Sequence, residues 1–125
     1  MEQELRKKVE KVKKLHRSGY GCAQAIYCGF GDLIGISESE AARIAGPYSG
    51  GRKGKCGAVL AAELFLKNKF ENPKQEDEFE RKFIQMNQSA ICQELRGKRL
   101  RSCAGCVEDA AVLLAEMISE EGKIQ

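Results

Sequence analysis

Apolar residues recur at steps of three and four through nearly the whole chain, the period a helix needs to bury one face. Leu5, Val9, Val12 and Leu15 or His16 make a narrow stripe on a first helix, which glycines 19 and 21 end. A second helix starts near Cys22 and carries Ala23, Ile26, Tyr27, Phe30 and Ile34, with Gly29, Gly31 and Gly35 weakening it. Ser37 with Glu40 has the form of a capping box ahead of Ala41, Ile44 and Ala45. The stretch GPYSGGRKGK holds four glycines and a proline in ten residues and predicts a loop. From Cys56 to about Phe70 the chain is apolar on most sides, as in a central buried helix. Asn72-Pro73 gives an N-cap with proline at the first helical position, and Gln75 stands in the reciprocal capping place. Phe79, Phe83, Met86 and Ala90 continue that helix, a polar basic turn surrounds Gly97, and a last helix from Cys103 carries Val107, Ala110, Ala111, Leu114, Met117 and Ile118.

Composition agrees with the period. Threonine and tryptophan are absent, so a β-rich fold lacks favoured residues, while Ala, Leu, Glu, Lys and Arg favour helices. At 125 residues the chain is the size of one ordinary domain. The expected product is all-α, a compact single-domain bundle of five to six helices over residues 1–125.

The N-terminal MEQELRKKVEKVKK is charged throughout and has no signal-peptide form. The longest apolar runs, AVLAA and AAVLLA, fall far below the roughly 20 residues of a membrane span. A cytoplasmic address with no membrane partner is expected, and there thiols stay reduced unless they bind metal or do redox work. Net charge is +3, with basic runs at Arg52, Lys53 and Lys55 and at Arg96, Lys98, Arg99 and Arg101. These read first as solvated surface, and second as seats for an anionic cluster, ligand or partner. Nucleic-acid binding is disfavoured, because the runs are short and lack interleaved aromatics.

Six cysteines stand at 22, 28, 56, 92, 103 and 106. Cys22, Cys56 and Cys103 fall at expected helix starts, and Cys92 where the preceding helix ends. Backbone N–H groups at a helix start stabilise negative charge and so favour thiolates. Four thiolates gathered from separate helices would suit an iron–sulfur cluster or zinc, although the spacing matches no compact zinc-finger pattern.

GCAQAI around Cys22, GGRKGKCGAVLAA around Cys56, CQELRG from Cys92 and CAGCVEDAA from Cys103 occur in one order. Over roughly residues 19–116 the chain resembles the small proteins, presumed redox-active, named for their C–GCAxxG–C–C pattern. The resemblance implies an all-helical fold and maps the family cysteines onto Cys22, Cys56, Cys92 and Cys103. It also implies redox activity, with an iron–sulfur centre in some relatives. Ala61 departs from the family's glycine, Gly21 from its more usual asparagine, and Cys28 and Cys106 lie outside the pattern.

The leading expectation is therefore electron transfer or redox sensing through an iron–sulfur cluster on Cys22, Cys56, Cys92 and Cys103, with a redox partner protein the sequence does not name. The alternatives are structural zinc, and a metal-free thiol–disulfide oxidoreductase using Cys103 with Cys106, or Cys103 with a cysteine brought close by folding. Cys106 reads first as a small core residue, and Cys28, about 240° around a helix from Cys22, as packing. His16, the only histidine, reads as structural or exposed. GGRKGK lacks the Walker spacing. Tyr20, Tyr27 and Tyr48 are core or site walls, and the narrow first stripe leaves room for a homodimer.

Overall fold

The computed structural model describes residues 2–51 and 53–124, with side chains through residue 121. Arg52, the first member of the basic run before Cys56, lies outside the described residues. Seven α-helices follow one another: α1 (Gln3–Arg17), α2 (Cys22–Phe30), α3 (Glu38–Ala45), α4 (Gly57–Phe70), α5 (Pro73–Asn87), α6 (Cys92–Gly97) and α7 (Cys103–Ile124). Six are longer than α6, as expected for a bundle of five to six. The described residues hold no strand beyond one antiparallel bridge, Lys55 to Ile91, and no described helix is long and apolar enough to cross a membrane.

Local chemistry sets most of the ends. Ser37 Oγ accepts from Glu40 N–H at 3.2 Å to start α3, and Asn72 Oδ1 accepts from Lys74 N–H at 3.1 Å to start α5. Ser102 Oγ does the same for Gly105 N–H at 3.0 Å at the start of α7. The left-handed turns of Glu71 and Gln88 end α4 and α5. Because Gln88 turns the chain there, α5 stops at Asn87, so Ala90 lies beyond the helix and Met86 faces solvent at 50% exposure. Gln75 does not cap. It is buried and donates to Glu121 Oε1 on α7 at 2.5 Å.

One core joins the helices. The α1 stripe of Leu5, Val9 and Val12 is buried, and α1 packs chiefly on α7 and α2. Gly29 explains that approach: a Cβ there would run into Val12 Cγ2, so the glycine that costs α2 propensity lets α1 sit close. Phe30 meets Phe65 edge-on at 5.8 Å, and Phe79 stacks on Phe83 at 6.4 Å. Tyr27 is core and accepts from Asn68 Nδ2 at 2.8 Å, whereas Tyr20 donates to Glu38 Oε1 at 3.2 Å near the surface. Ala61 is fully packed, so the extra methyl relative to glycine is accommodated.

A charged clamp fixes the chain just before α4. Lys55 Nζ lies 3.3 Å from Glu63 Oε1 and also pairs with Glu80, tying the bridge residue to α4 and α5. Burial pushes Glu63 up to about 7, the Glu80 carboxylate adding to the effect and Lys55 opposing it. The folded chain therefore holds this proton more tightly than the unfolded chain, whose glutamate titrates at about 4.3. Glu63's contribution is fully present below that pH and is lost as pH rises through about 7. Thermal melts at pH 5 and pH 7.5 should show a smaller loss of stability on going alkaline for Glu63→Gln than for the original chain. Equal losses would rule out this origin.

Candidate thiol centre

All four pattern cysteines open a helix. Cys22 is the first residue of α2, Cys56 the N-cap of α4, Cys92 the first residue of α6 and Cys103 the first residue of α7. For Cys92 this corrects the sequence expectation. It begins a short helix instead of closing the preceding one, because Cys92 N–H donates to Gly54 O at 3.0 Å while Cys56 N–H donates to Ala90 O at 2.7 Å. These two bonds flank the Lys55–Ile91 bridge and set Cys56 and Cys92 on adjoining segments.

The loop Gly46–Gly51, two 3₁₀ turns joined at a kink, packs against the starts of α2, α4 and α6. Gly50 N–H donates to Cys22 Sγ at 3.4 Å, and Ala23 N–H donates to Ser49 Oγ at 3.2 Å. The asparagine cap that Gly21 cannot supply is thus replaced from the loop, in the space a side chain would fill: a Cβ on Gly21 would stand 2.5 Å from Ser49 Oγ. Gly51, with φ of +73°, presses on Cys92, where a Cβ would stand 2.7 Å from the sulfur. A Cβ on Gly57 would stand 2.6 Å from Cys22 Sγ and 2.6 Å from Tyr48 O, so α2 and α4 meet through a glycine.

The Cys103 thiol, with Gly50 and Ala23 N–H and the nearby His16, holds the Cys22 thiol down at about 5 against the cost of burial. The Cys106 thiol and the N–H groups of Val59 and Ala58 hold the Cys56 thiol below the ordinary range, against the cost of burial. Cys103 and Cys106 are in turn pushed far up, by Cys22 and Cys56 and by burial. The charges of Cys22, Cys56 and Cys92 all reach Cys103. Five thiols therefore share one end of the bundle. Cys28 does not join them: it is buried with Sγ donating to Glu38 O at 3.4 Å, and burial raises its thiol.

Exposure divides the group. Cys103 is exposed, Cys92 half-buried, and Cys22, Cys56 and Cys106 buried. Cys103 Sγ lies 3.7 Å from His16 Nε2, close enough to make the lone histidine a partner of the centre. Beside it opens a cleft of about 280 Å³ lined by Lys13, His16, Arg17, Arg101, Gly105 and Glu108. A second cleft, of about 640 Å³, lies over Cys92 and is lined by the loop glycines, Ile91 and Arg96.

The donor set is rich in thiols, yet the described His, Cys, Asp and Glu side chains include no group of three that could hold one metal ion as they stand.

The family described as "Putative redox-active protein (C_GCAxxG_C_C)" matches residues 20–117. The chain belongs to this family. Neither the curated proteins nor the solved structures contain a match to it. In this C_GCAxxG_C_C protein Cys22, Cys56, Cys92 and Cys103 all stand at helix starts, and the buried Cys28 is turned away to Glu38 O. Sequence reasoning did not reach Ser49, which has no motif of its own, or the role of His16, whose only signal was its being a single histidine.

Proposed function

We propose that this C_GCAxxG_C_C protein is a thiol–disulfide redox protein whose working couple is Cys22 with Cys103. The observation that carries the reading is the exposed Cys103 Sγ, 3.7 Å from His16 Nε2, with the Cys22 sulfur accepting from Gly50 N–H at 3.4 Å at the start of α2 and held low by the Cys103 thiol. The two sulfurs share one proton, so one of them is a thiolate at neutral pH without a metal. Cys103 is the exposed member and meets the incoming disulfide R–S–S–R′. The shared proton moves to the Cys22 sulfur as the Cys103 sulfur attacks, the S–S bond breaks, and R′S⁻ leaves to take up a proton. Cys22 then attacks Cys103 Sγ, closes the internal disulfide and expels RS⁻, which is protonated in turn. Two electrons reach the substrate, and two protein thiols become one disulfide. Cys106, buried one turn into α7, is left out of the couple.

The reduced chain, mixed with excess of a small neutral dialkyl disulfide, is expected to release small thiol. Cys103→Ser should abolish that release and Cys28→Ser should keep it. Release at the original rate from the Cys103→Ser chain would overturn the reading.

A second reading rests on a separate observation. Each of Cys22, Cys56, Cys92 and Cys103 opens a helix, which supports four thiolates held beside backbone N–H groups as ligands of an iron–sulfur cluster for electron transfer or redox sensing. Bound there, the cluster would supply one-electron chemistry, and the chain would fix the thiolates and tune the potential through helix ends and basic neighbours. Anaerobic reconstitution should then give acid-labile sulfide and visible absorption that Cys92→Ser removes. A colourless, iron-free chain would discard this reading.

A further inference from the structure

Cys103 is exposed, and the surface beside it is unevenly charged. Its chain neighbours Ser102 and Ala104 line the cleft of about 280 Å³, and so does His16, whose Nε2 lies 3.7 Å from Cys103 Sγ. A disulfide that meets this sulfur has the cleft at hand for one of its arms. Three full cations line it, Lys13, Arg17 and Arg101, against one carboxylate, Glu108. Two of the cations are already engaged. Lys13 Nζ lies 3.0 Å from Glu108 Oε2 and 3.5 Å from Glu10 Oε1, and Arg101 donates to the two Asp109 oxygens at 3.0 and 3.2 Å. Gly105 admits that clamp, since a Cβ there would stand 2.5 Å from Arg101 Nε. Arg17 differs. It is exposed in the last turn of α1, and among the described residues no carboxylate pairs with it. Its guanidinium keeps a planar fork of N–H donors for a carboxylate brought from outside, and the start of α7 adds its positive dipole end on the same side.

We propose that the disulfides this chain reduces are small molecules bearing a carboxylate, which Arg17 receives in the cleft while Cys103 attacks the sulfur. The inference rests on the reading of Cys103 as the attacking thiol and adds the substrate class. By volume the cleft holds about nine water molecules, room for one short arm and not for a folded polypeptide. In the exchange the Cys103 sulfur bonds to one substrate sulfur as the shared proton stays with Cys22. The S–S bond breaks, the other arm leaves as a thiolate that takes up a proton, and the seated carboxylate keeps its charge throughout.

The test uses the full reduced chain at neutral pH and low salt with an anionic, a neutral and a cationic disulfide: dithiodiglycolate, bis(hydroxyethyl) disulfide and cystamine. Each rate of thiol release is divided by the rate of mercaptoethanol with the same disulfide, which removes differences in leaving group. The normalised rates are expected to run anionic over neutral over cationic, with a span of about tenfold that added salt compresses. Arg17→Gln should shrink the span about threefold and Arg17→Glu should shrink it further. Arg81→Gln, which removes the same charge from α5, should keep it. A chain that reacts with the neutral disulfide through Cys103 but shows no span, or a span untouched by Arg17→Glu, overturns the carboxylate seat and leaves the dithiol reading intact. No release from any of the three disulfides overturns both. An acidic peptide disulfide that outruns dithiodiglycolate on the same scale puts a polypeptide in the place of the small acid, and overturns the assignment of substrate class.

Discussion

A chain carrying Cys22→Ser is expected to react once with a disulfide and then stop. Cys103 remains exposed, with His16 at 3.7 Å to take its proton, so the first attack is still available. The sulfur that should resolve the mixed disulfide is gone. The adduct should accumulate at one small thiol per chain by intact mass, and turnover should fall at least about 100-fold, because an exchange between held neighbours becomes one that waits on a second molecule. The same substitution should erase the acid-side titration. In the original chain the first proton of the couple leaves near pH 5, the Cys103 thiol and Gly50 N–H stabilising the Cys22 thiolate. A lone cysteine titrates at about 8.5, so the thiolate that the couple carries at pH 6 should be lost, leaving only that of the lowered Cys56. Ultraviolet thiolate absorbance against pH reads this directly. A step near pH 5 that survives Cys22→Ser would place the thiolate elsewhere.

Gly57→Ala carries the second large effect, on stability and on the couple together. The added Cβ would stand 2.6 Å from Cys22 Sγ and 2.6 Å from the backbone oxygen of Tyr48. A flexible side chain could swing aside, but a carbonyl fixed in the Gly46–Gly51 loop cannot do so without moving the loop that holds Cys22. Overpacking of this kind costs about 1–3 kcal/mol, and the shift should lower the yield of the Cys22–Cys103 disulfide. Gly97→Ala is the matched control. A Cβ added at Gly97, the last residue of α6, would meet no atom within 4 Å, and alanine there should gain up to about 1 kcal/mol of helix propensity. Urea unfolding of the two variants measures the contrast. Equal midpoints would mean that the α2–α4 contact tolerates a methyl group and that Gly57 is not what seats Cys22.

Much of this architecture can be read from local sequence, and the failures have physical causes. Ser37 with Glu40 and Asn72 with Pro73 mark helix starts because a side-chain oxygen satisfies a nearby N–H, an interaction confined to a few residues. The period of Val107, Ala110, Ala111, Leu114 and Met117 marks α7 because one helix face is buried along its length. The start of α6 at Cys92 carries a less familiar sign. Ile91 offers no capping oxygen; Ser89 Oγ accepts from Ile91 N–H at 3.0 Å and donates to Glu94 Oε1 at 2.6 Å, while the first helical N–H is engaged by Gly54, distant in sequence. Gathering of thiols at helix starts is visible from glycine placement and the motifs, whereas their pairing is not. Cys103 and Cys106 are neighbours along α7, yet each lowers the thiol of another helix, Cys103 that of Cys22 on α2 and Cys106 that of Cys56 at the head of α4. Such partners are set by how α2, α4 and α7 dock, through the bare backbone of Gly57 and the serine that the loop lends to α2.

Peptide mapping of the chain after brief oxidation by a small disulfide, with acid quench, tests the central claim most directly. A link between the peptides bearing Cys22 and Cys103 is the predicted product. Cys103 joined to Cys106 instead, or Cys22 left fully alkylatable while Cys103 is oxidised, would contradict it.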